Sequence, residues 1–218
     1  NQQKKKQKNL HNGNGKFSEI GDLAFFPNHY YVQGWCLLLF DKNNSGLIDF
    51  IASDVDCNCG PDFKNLGDNN FSMIAHNRYG GKTGLAAGDY NRDGYLDLYA
   101  PAMLDNNSAL LRNDNGSLKQ NVASQLGISG VHAITVFFAD FNNDMWPDIL
   151  LPYCGNRYCD GSNGPNGVKL FINNKTGGFD DKASAWGLDN APSTGTAAIG
   201  DINNDGRIDI FISDFYPN

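Results

Sequence analysis

Length, composition and charge already exclude several classes of protein. The chain has 218 residues and a formal net charge of −7; 23 of its 24 acidic residues are Asp, and Asp, Asn and Gly together make up 77 residues. These three residue types form helices poorly and favour turns, which argues against a mainly helical protein. A hydrophobic fraction of 40% argues against a wholly disordered chain, and the acidic balance argues against a nucleic-acid binder. The composition therefore predicts a β-rich, loop-rich domain.

The N-terminal segment is basic but does not resemble an intact signal peptide. Residues 1–8 include Lys4, Lys5, Lys6 and Lys8, and we expect a flexible basic tail, with contact to a polyanion as the alternative. No apolar stretch follows these charges, as a secretory signal would require. The longest apolar run, residues 35–40, is far shorter than the roughly 18 residues of a membrane span. We therefore predict no membrane span, and a single repeat domain over residues 9–218.

One nine-residue pattern recurs four times. The copies are named loop 1 (41–49), loop 2 (89–97), loop 3 (140–148) and loop 4 (201–209), and their residues are counted as positions 1 to 9. Asp, Asn or Ser occupies positions 1, 3, 5 and 9 in every copy, and the copies start 48, 51 and 61 residues apart. A period in this range is the sequence signature of a repeat architecture.

Short apolar runs flank each loop and predict buried strands. They are too short for helices and rich in β-branched and aromatic residues. The runs are 36–40, 85–88, 136–139 and 197–200 before the loops, and 50–52, 98–100, 149–151 and 210–212 after them. Four further segments, 12–17, 67–71, 113–118 and 173–179, have the composition of tight turns that lead into an apolar anchor. The pattern predicts an all-β fold of propeller-like repeats, each with about four short antiparallel strands, in units of approximately 9–62, 63–110, 111–170 and 171–218.

Oxygen side chains at alternating positions of a tight loop can converge on one cation. Ca²⁺ accepts six to eight hard oxygen ligands in irregular geometry, whereas Mg²⁺ needs a stricter octahedron and transition metals prefer His or Cys. Position 7 is expected to offer its backbone carbonyl, because its side chains share no chemistry. We predict up to four Ca²⁺ ions, held by Asp41, Asn43, Ser45, Leu47 and Asp49; Asp89, Asn91, Asp93, Tyr95 and Asp97; Asp140, Asn142, Asp144, Trp146 and Asp148; and Asp201, Asn203, Asp205, Arg207 and Asp209.

Two other interpretations of the loops are disfavoured. An EF-hand needs Glu at position 12 between two helices, but position 12 is Ala52, Ala100, Leu151 or Ile212. Metal-free Asx-rich turns would not explain four copies with matched flanks. Loops 2 and 4 are complete and are expected to bind best. Loop 3 has Met145 where a glycine with φ > 0 is expected, so we predict a strained or weaker site.

Cysteines and glycosylation motifs indicate in which cellular compartment the protein acts. The disulfide candidates are Cys36, Cys57, Cys59, Cys154 and Cys159. Cys154 and Cys159 could form a local disulfide and Cys36 could pair with Cys57 or Cys59, but connectivity does not follow from sequence, and reduced buried cysteines are the alternative. The acceptor pattern for N-glycosylation occurs at Asn43, Asn70, Asn106, Asn115 and Asn174. Together these features favour a secreted or cell-surface protein.

The loops set between short strands resemble the FG-GAP or VCBS repeats of seven-bladed propellers, such as integrin α-subunit heads and the cartilage-acidic-protein group. The resemblance is strongest at residues 84–99 and 195–211, and 169–179 is similar to the segment that joins successive repeats in the latter group. It implies Ca²⁺ at positions 1, 3, 5 and 9 and an extracellular setting. Seven such units would need roughly 380 residues. We therefore expect a fragment, or a unit that assembles with copies of itself through strand edges, rather than a closed four-bladed ring.

The expected function is a non-catalytic extracellular scaffold, adhesion module or structural matrix or fibre protein. Its partner would be an extracellular protein, a glycan or another copy of the chain, and not a nucleic acid. The alternative is a polysaccharide lyase or hydrolase, but no nucleophile elbow, zinc-protease motif or carboxylate pair outside the loops supports it. A soluble calcium buffer is disfavoured because loops held between packed strands should serve stability. The chain has other acid–base side chains, for which structural or solvated roles are favoured over catalysis: His76, His132, Tyr153, Arg157, Asp54 and Asp56.

Overall fold

The structure, a computed structural model, describes residues 9–11, 17–19, 36–53, 60–68, 70–77, 84–101, 108–152, 168–188 and 194–214. These ranges contain 16 β-strands and one short 3-10 helix, Ser184–Trp186. The strands are β1 (Asn9–His11), β2 (Phe17–Glu19), β3 (Leu37–Phe40), β4 (Asp49–Ala52), β5 (Gly60–Gly67), β6 (Asn70–Asn77), β7 (Ala86–Gly88), β8 (Asp97–Ala100), β9 (Ala109–Asp114), β10 (Ser117–Asn121), β11 (Phe137–Ala139), β12 (Asp148–Leu151), β13 (Lys169–Asn173), β14 (Phe179–Asp181), β15 (Thr194–Gly200) and β16 (Asp209–Asp214). In the described part of the chain, no helix is long and apolar enough to cross a membrane.

Consecutive strands pair antiparallel into separate sheets. Strands β3–β6 form sheet 1, β7–β10 form sheet 2 and β11–β14 form sheet 3, each in chain order; β15 and β16 pair as sheet 4, and β1 pairs with β2. Apolar residues meet across the strands, as Leu98 does with Ala87 on one side and Leu111 on the other. Successive side chains of a strand point to opposite faces. Shifting the pairing of two strands by one residue would therefore move their buried apolar side chains to the opposite face. The prediction of an all-β fold of propeller-like repeats is confirmed.

Three apolar clusters fill the spaces between consecutive sheets. Successive side chains of a strand point to opposite faces, so the strand after each loop divides its residues between two clusters. The residue two beyond the loop, position 11, faces the following sheet, whereas positions 10 and 12 face the preceding one. The clusters group Ile51 with Leu98 and Ala100, Tyr99 with Ile149 and Leu151, and Leu150 with Ile210 and Ile212.

The predicted turns and their apolar anchors occur in the three four-stranded sheets. Each turn joins the third strand to the fourth, and the anchor is the first or second residue of the fourth strand. The anchors Phe71, Leu118 and Phe179 are all buried. The turn expected at 12–17 falls largely outside the described residues, although β1 and β2 pair on either side of it.

The sheets divide the chain at points different from the approximate units given above. Boundaries at 62/63 and 110/111 fall inside β5 and β9, because sheet 1 runs from Leu37 to Asn77 and sheet 2 from Ala86 to Asn121. Each loop connects the first strand of its sheet to the second. The spacing of the loops gives the length of a repeat, but only the hydrogen bonding between strands decides where a repeat begins.

Candidate metal-binding loops

All four loops are folded by hydrogen bonds from their own backbone. The position-1 carboxylate accepts the N–H of position 5 through Oδ1 and the N–H of position 6 through Oδ2. In loop 2 the donors Asp93 and Gly94 lie 3.0 and 2.9 Å from the Asp89 oxygens. The corresponding acceptors in the other loops are Asp41, Asp140 and Asp201.

Positions 3, 5 and 7 close the loop. Asn91 Nδ2 donates to Asp93 Oδ2 over 2.8 Å, and the Tyr95 N–H donates to Asp93 Oδ1 over 2.9 Å. The predicted ligands at these positions therefore lie within one tight turn. The same bonds join Asn142, Asp144 and Trp146 in loop 3 and Asn203, Asp205 and Arg207 in loop 4, while in loop 1 Leu47 donates to Ser45 Oγ.

Two positions in every loop have left-handed backbone. Position 6 has φ between 67° and 91°, as expected for its glycines, and Met145 is the non-glycine case at 67°. The left-handed conformation expected at Met145 is therefore present, and its side chain is exposed. Position 4 is also left-handed, with φ between 55° and 59°, although only Asn or Arg occupies it. Asn is the non-glycine residue that tolerates this region best, which was a usable signal that the sequence analysis did not apply.

Position 9 ties each loop to its own sheet. Asp97 Oδ2 accepts the N–H of Tyr90 over 3.1 Å, and Oδ1 accepts the N–H of Asn113 over 2.8 Å. Asp49 and Asp148 each make the same pair of bonds. Asp209 accepts the N–H of Ile202 over 2.8 Å.

Burial makes two of these carboxylates hard to ionise. Asp97 and Asp148 have no exposed surface. Burial raises the pKa of Asp97 to about 7 and that of Asp148 to about 6, against the opposing effect of the N–H groups that they accept. The other two carboxylates of each loop, Asp89 and Asp93 in loop 2, raise these pKa values further. A negative charge at these two positions is therefore costly unless a cation lies beside it.

The donor set of the loops fits a hard cation. Within the described ranges no three His, Cys, Asp or Glu side chains already converge as a metal-binding group. The loops combine carboxylates with Asn or Ser oxygens and position-7 carbonyls, which is the mixed oxygen set that Ca²⁺ accepts. In loop 1, Asn43 Oδ1 is a buried oxygen that accepts no hydrogen bond from the described residues. Loop 3 differs, because the Lys175 ammonium lies 3.0 Å from Asp144 Oδ2 and partly neutralises position 5.

The sequence analysis missed the residues that join the loops of neighbouring sheets. Asn113 was assigned only to a turn, yet it is fully buried. Its Nδ2 donates over 2.8 Å both to Leu96 O of its own loop and to Lys42 O of loop 1, and its Oδ1 accepts from Gly116. Asn173 likewise donates to Pro147 O and to Tyr90 O of loop 2. An Asn that recurs five or six residues before each apolar anchor was the signal that could have identified this role.

A second set of contacts runs from position 4 of one loop to position 6 or 7 of the next. Asn44 Nδ2 donates to Gly94 O over 2.9 Å, and Asn143 Nδ2 donates to Gly206 O over 3.0 Å. Between loops 2 and 3, the Arg92 guanidinium lies over the Trp146 ring, 5.4 Å from its centre. The four loops therefore form one continuous row along the sheets.

An open cleft lies beside loop 2. It has a volume of about 320 Å³ and is lined by Asp93, Tyr95, Asn113, Asp114 and Asn115. An aromatic ring beside carboxylate and amide groups offers one apolar face and several hydrogen-bonding groups. This combination can accommodate a small polar ligand with an apolar face.

The remaining predicted site residues are only partly described. Cys36 is a half-buried free thiol, and burial raises its pKa; Cys57, Cys59, Cys154 and Cys159 lie outside the described residues, so disulfide pairing stays a prediction. Among the glycosylation candidates Asn70, Asn115 and Asn174 are exposed, Asn43 is half-buried and Asn106 lies outside the described residues. His132 is buried, and no side-chain environment is described for His76, Tyr153, Arg157, Asp54 or Asp56.

Comparison with known proteins identifies the repeat. A family model described as FG-GAP-like repeat matches residues 159–212, which include loop 4 and the strands on both sides of it. The chain carries an FG-GAP-like repeat. No curated protein matches the chain in sequence. Among solved structures, the chain is similar to an Agrocybe aegerita lectin described as recognising non-reducing terminal N-acetylglucosamine; the identity is 17%, the TM-score is 0.43, and the match covers 93% of this chain and 67% of the lectin chain.

Proposed function

We propose that this chain is a calcium-stabilised, non-catalytic module that acts outside the cell in adhesion, as a scaffold or in a structural assembly. The observation that carries the proposal is the burial of the position-9 carboxylates without a positively charged partner. Asp97 and Asp148 are buried beside two further carboxylates of the same loop, and no described Lys or Arg pairs with either. A divalent cation bound to the loop would supply the opposite charge that these groups lack.

Stabilisation is the role that the position of the loops supports. Each loop connects the first two strands of its sheet and makes contacts with the neighbouring loops. An ion that stiffens one loop would therefore stiffen the junction between two sheets. A free calcium buffer needs no such junctions.

The proposed partner is an extracellular protein or a glycan. The cleft beside loop 2 supports a glycan in particular, because the Tyr95 ring and the polar groups around it suit the apolar face and the hydroxyl groups of a sugar ring. No arrangement of acid, base or nucleophile among the described residues favours catalysis, and we assign this chain no reaction.

Calcium titration tests the proposal. Heat uptake or release is measured while Ca²⁺ is added to the metal-free full chain, and melting temperatures are compared in Ca²⁺, Mg²⁺ and chelator. An ion present at a concentration 100 times its dissociation constant stabilises the folded chain by about 2.7 kcal/mol per site. For a chain of this size that corresponds to a rise in melting temperature of about 5–10 °C. We expect a rise of at least this size with Ca²⁺ and much less with Mg²⁺.

Matched variants locate the effect. Asp89→Asn and Asp201→Asn should each reduce the number of ions bound and the calcium-dependent rise in melting temperature. Asp180→Asn removes the same charge from an exposed position outside the loops and should leave both unchanged. Absence of binding heat together with equal melting temperatures in Ca²⁺ and chelator would overturn the proposal.

A further inference from the structure

Loops 2 and 3 arrange their position-5 carboxylates in the same way. Asp93 and Asp144 each accept the side-chain amide of position 3, over 2.8 and 2.7 Å, and the backbone N–H of position 7, over 2.9 Å in both loops. Position 6 is left-handed in both, although it is Gly94 in loop 2 and Met145 in loop 3. A difference between these two loops in their affinity for a cation would therefore come from charge more than from shape.

The position-5 carboxylate of loop 3 has a cationic partner. The Lys175 ammonium lies 3.0 Å from Asp144 Oδ2, the same oxygen that accepts the side-chain amide of Asn142. The Asp144 side chain is 18% exposed and that of Lys175 is 46% exposed, so the ion pair is partly shielded from water. In loop 2, Asp93 makes no ion pair with a described residue, and the space beside it is the open cleft that Asn115 also lines.

Lys175 stands at a backbone position that suits other residue types better. Two residues after Asn65, Asn113 and Asn173, which occupy equivalent places in sheets 1 to 3, the backbone is left-handed in each sheet. The residues there are Gly67, Asn115 and Lys175, with φ of 82°, 50° and 63°. Glycine and asparagine tolerate this region, whereas the Cβ of lysine is crowded in it. Sheet 3 thus keeps a strained residue whose side chain reaches the loop.

The ion pair joins two separate parts of sheet 3. Lys175 lies in the turn between β13 and β14, whereas Asp144 lies in the loop between β11 and β12. The turn is itself fixed, because Asn173 Oδ1 accepts the Lys175 N–H over 3.0 Å and Asn173 Nδ2 donates to Tyr90 O over 2.8 Å. The ammonium therefore connects loop 3 to an anchored turn without any metal ion.

We propose that Lys175 is a built-in cation of loop 3. Its ammonium holds the position-5 carboxylate, so loop 3 binds Ca²⁺ more weakly than loop 2 and depends on the ion less for its fold. Both loops have three Asp at ligand positions, and the ammonium offsets one of these charges in loop 3 alone. The affinity of a calcium site depends on the charge of its ligands, and an incoming ion must displace Lys175 or remain close to a like charge. The inference rests on the proposed function, because it compares the calcium affinities of two loops.

The position-6 amides report the two loops separately. Two-dimensional NMR of the ¹⁵N-labelled full chain follows the Gly94 and Met145 amides while Ca²⁺ is added to metal-free protein. In the wild-type chain Gly94 is expected to reach its midpoint at a lower Ca²⁺ concentration than Met145. Lys175→Met keeps a long side chain and removes its charge. It should lower the Met145 midpoint at least about threefold and leave the Gly94 midpoint unchanged.

Two further variants control for net charge and for position. Lys182→Met removes the same charge from a similarly exposed lysine, which pairs with Asp180 outside the loops, and should change neither midpoint. Asn115→Lys places a lysine at the equivalent position of sheet 2, beside Asp93 in the cleft, and should raise the Gly94 midpoint about threefold. Circular dichroism and melting curves establish that each variant is folded.

Hydrogen exchange in chelator tests the hold of Lys175 on the loop without calcium. The Trp146 N–H donates to Asp144 Oδ1, so its exchange rate reports how firmly that carboxylate stays in place. Lys175→Met should raise this rate at least about threefold, whereas Lys182→Met should leave it unchanged.

The failure of this inference is distinguishable from the failure of the proposed function. Equal midpoints for Gly94 and Met145 in the wild-type chain, or a Met145 midpoint that Lys175→Met leaves unchanged, would overturn the inference while calcium binding itself stands. An unchanged exchange rate at Trp146 in Lys175→Met would overturn it as well, because the ammonium would then not hold the carboxylate. Calcium-dependent shifts at neither amide would instead overturn the proposed function, and the difference in affinity with it.

Discussion

Loops 2 and 4 have nearly the same sequence but different surroundings. Both have the same internal hydrogen bonds, with position 1 accepting the N–H groups of positions 5 and 6 over 2.8–3.0 Å. Asp97 at position 9 of loop 2 is fully buried and accepts an N–H from Asn113, whereas Asp209 in loop 4 is half-buried. The difference shows that the nine residues determine the shape of the loop, and that the third strand of the sheet and the neighbouring sheets determine its electrostatics.

The comparison also explains why loops with the same sequence motif can differ in their affinity for calcium. In loop 2 burial and two nearby carboxylates oppose ionisation of Asp97. A cation there would relieve a cost, which favours binding, but the carboxylate must first give up a proton near neutral pH. Position 9 of loop 4 is only half-buried, so a cation bound there would offset a smaller desolvation cost.

The largest expected effect concerns the pH dependence of stability in metal-free buffer. The pKa of Asp97 is raised from about 3.9 in the unfolded chain to about 7 in the folded one. Between these values the folded state binds more protons, so the free energy of unfolding should fall as pH rises from about 4 to about 7 and then level off. The fall attributable to this group is at most about 4 kcal/mol. Urea denaturation at a series of pH values measures it.

Asp97→Asn should reduce this pH dependence, mostly above about pH 6, because the amide does not titrate, whereas Asp148 still contributes below that pH. Asp209→Asn makes the same change at the half-buried position 9 of loop 4, and should alter the dependence less than Asp97→Asn does. Equal slopes in the two variants would contradict the difference between the loops. Calcium at saturating concentration should reduce the slope in the wild-type chain, since the bound ion would hold the carboxylate in its charged form.

A smaller effect is expected from the asparagines that join the sheets. Asn113→Ala removes a buried side chain and leaves the Lys42 and Leu96 carbonyls without their donor, at a cost of about 3 kcal/mol in the free energy of unfolding. Asn65→Ala removes the same residue type in sheet 1, where the bond to the Ile48 carbonyl is exposed, and should cost about 1 kcal/mol. Denaturant midpoints compare the two, and an equal cost would mean that the bond to the neighbouring loop contributes nothing.

The smallest effect concerns the backbone of loop 3. Met145 has φ of 67° and an exposed side chain, so Met145→Gly should stabilise the chain by about 1 kcal/mol through relief of strain. Gly94 is the same position in loop 2, with φ of 91° and open space around it. Gly94→Ala should therefore destabilise by a similar amount, and thermal melting of both variants checks the opposite signs. A loss of stability in Met145→Gly would show that the side chain makes contacts that outweigh the strain.

Much of the fold could be predicted from the sequence because its signals are local. The nine-residue spacing of Asp, Asn and Gly places the loops, and the apolar runs on both sides place β4, β8, β12 and β16. The left-handed backbone at Met145 is also a local property of its turn, and the positions of the apolar anchors Phe71, Leu118 and Phe179 follow from the turn residues before them. The boundaries of the repeat could not be predicted, because a periodic sequence has the same period wherever the count begins.

The sequence by itself determined the loops and their internal hydrogen bonds, since these depend on residues within nine positions of one another. It also determined the all-β repeat, since the short apolar runs and their period appear directly along the chain. Only the tertiary structure decided how the loops are linked and charged. Asn113 reaches Lys42 across 71 residues, and Asn173 reaches Tyr90 across 83. Lys42 is itself buried and paired with Asp62, at a position where the other loops have Tyr90, Phe141 and Ile202. Such contacts depend on which sheets become neighbours. Asp97 and Asp209 are the same residue type at the same loop position, and they differ because neighbouring elements bury Asp97 more completely.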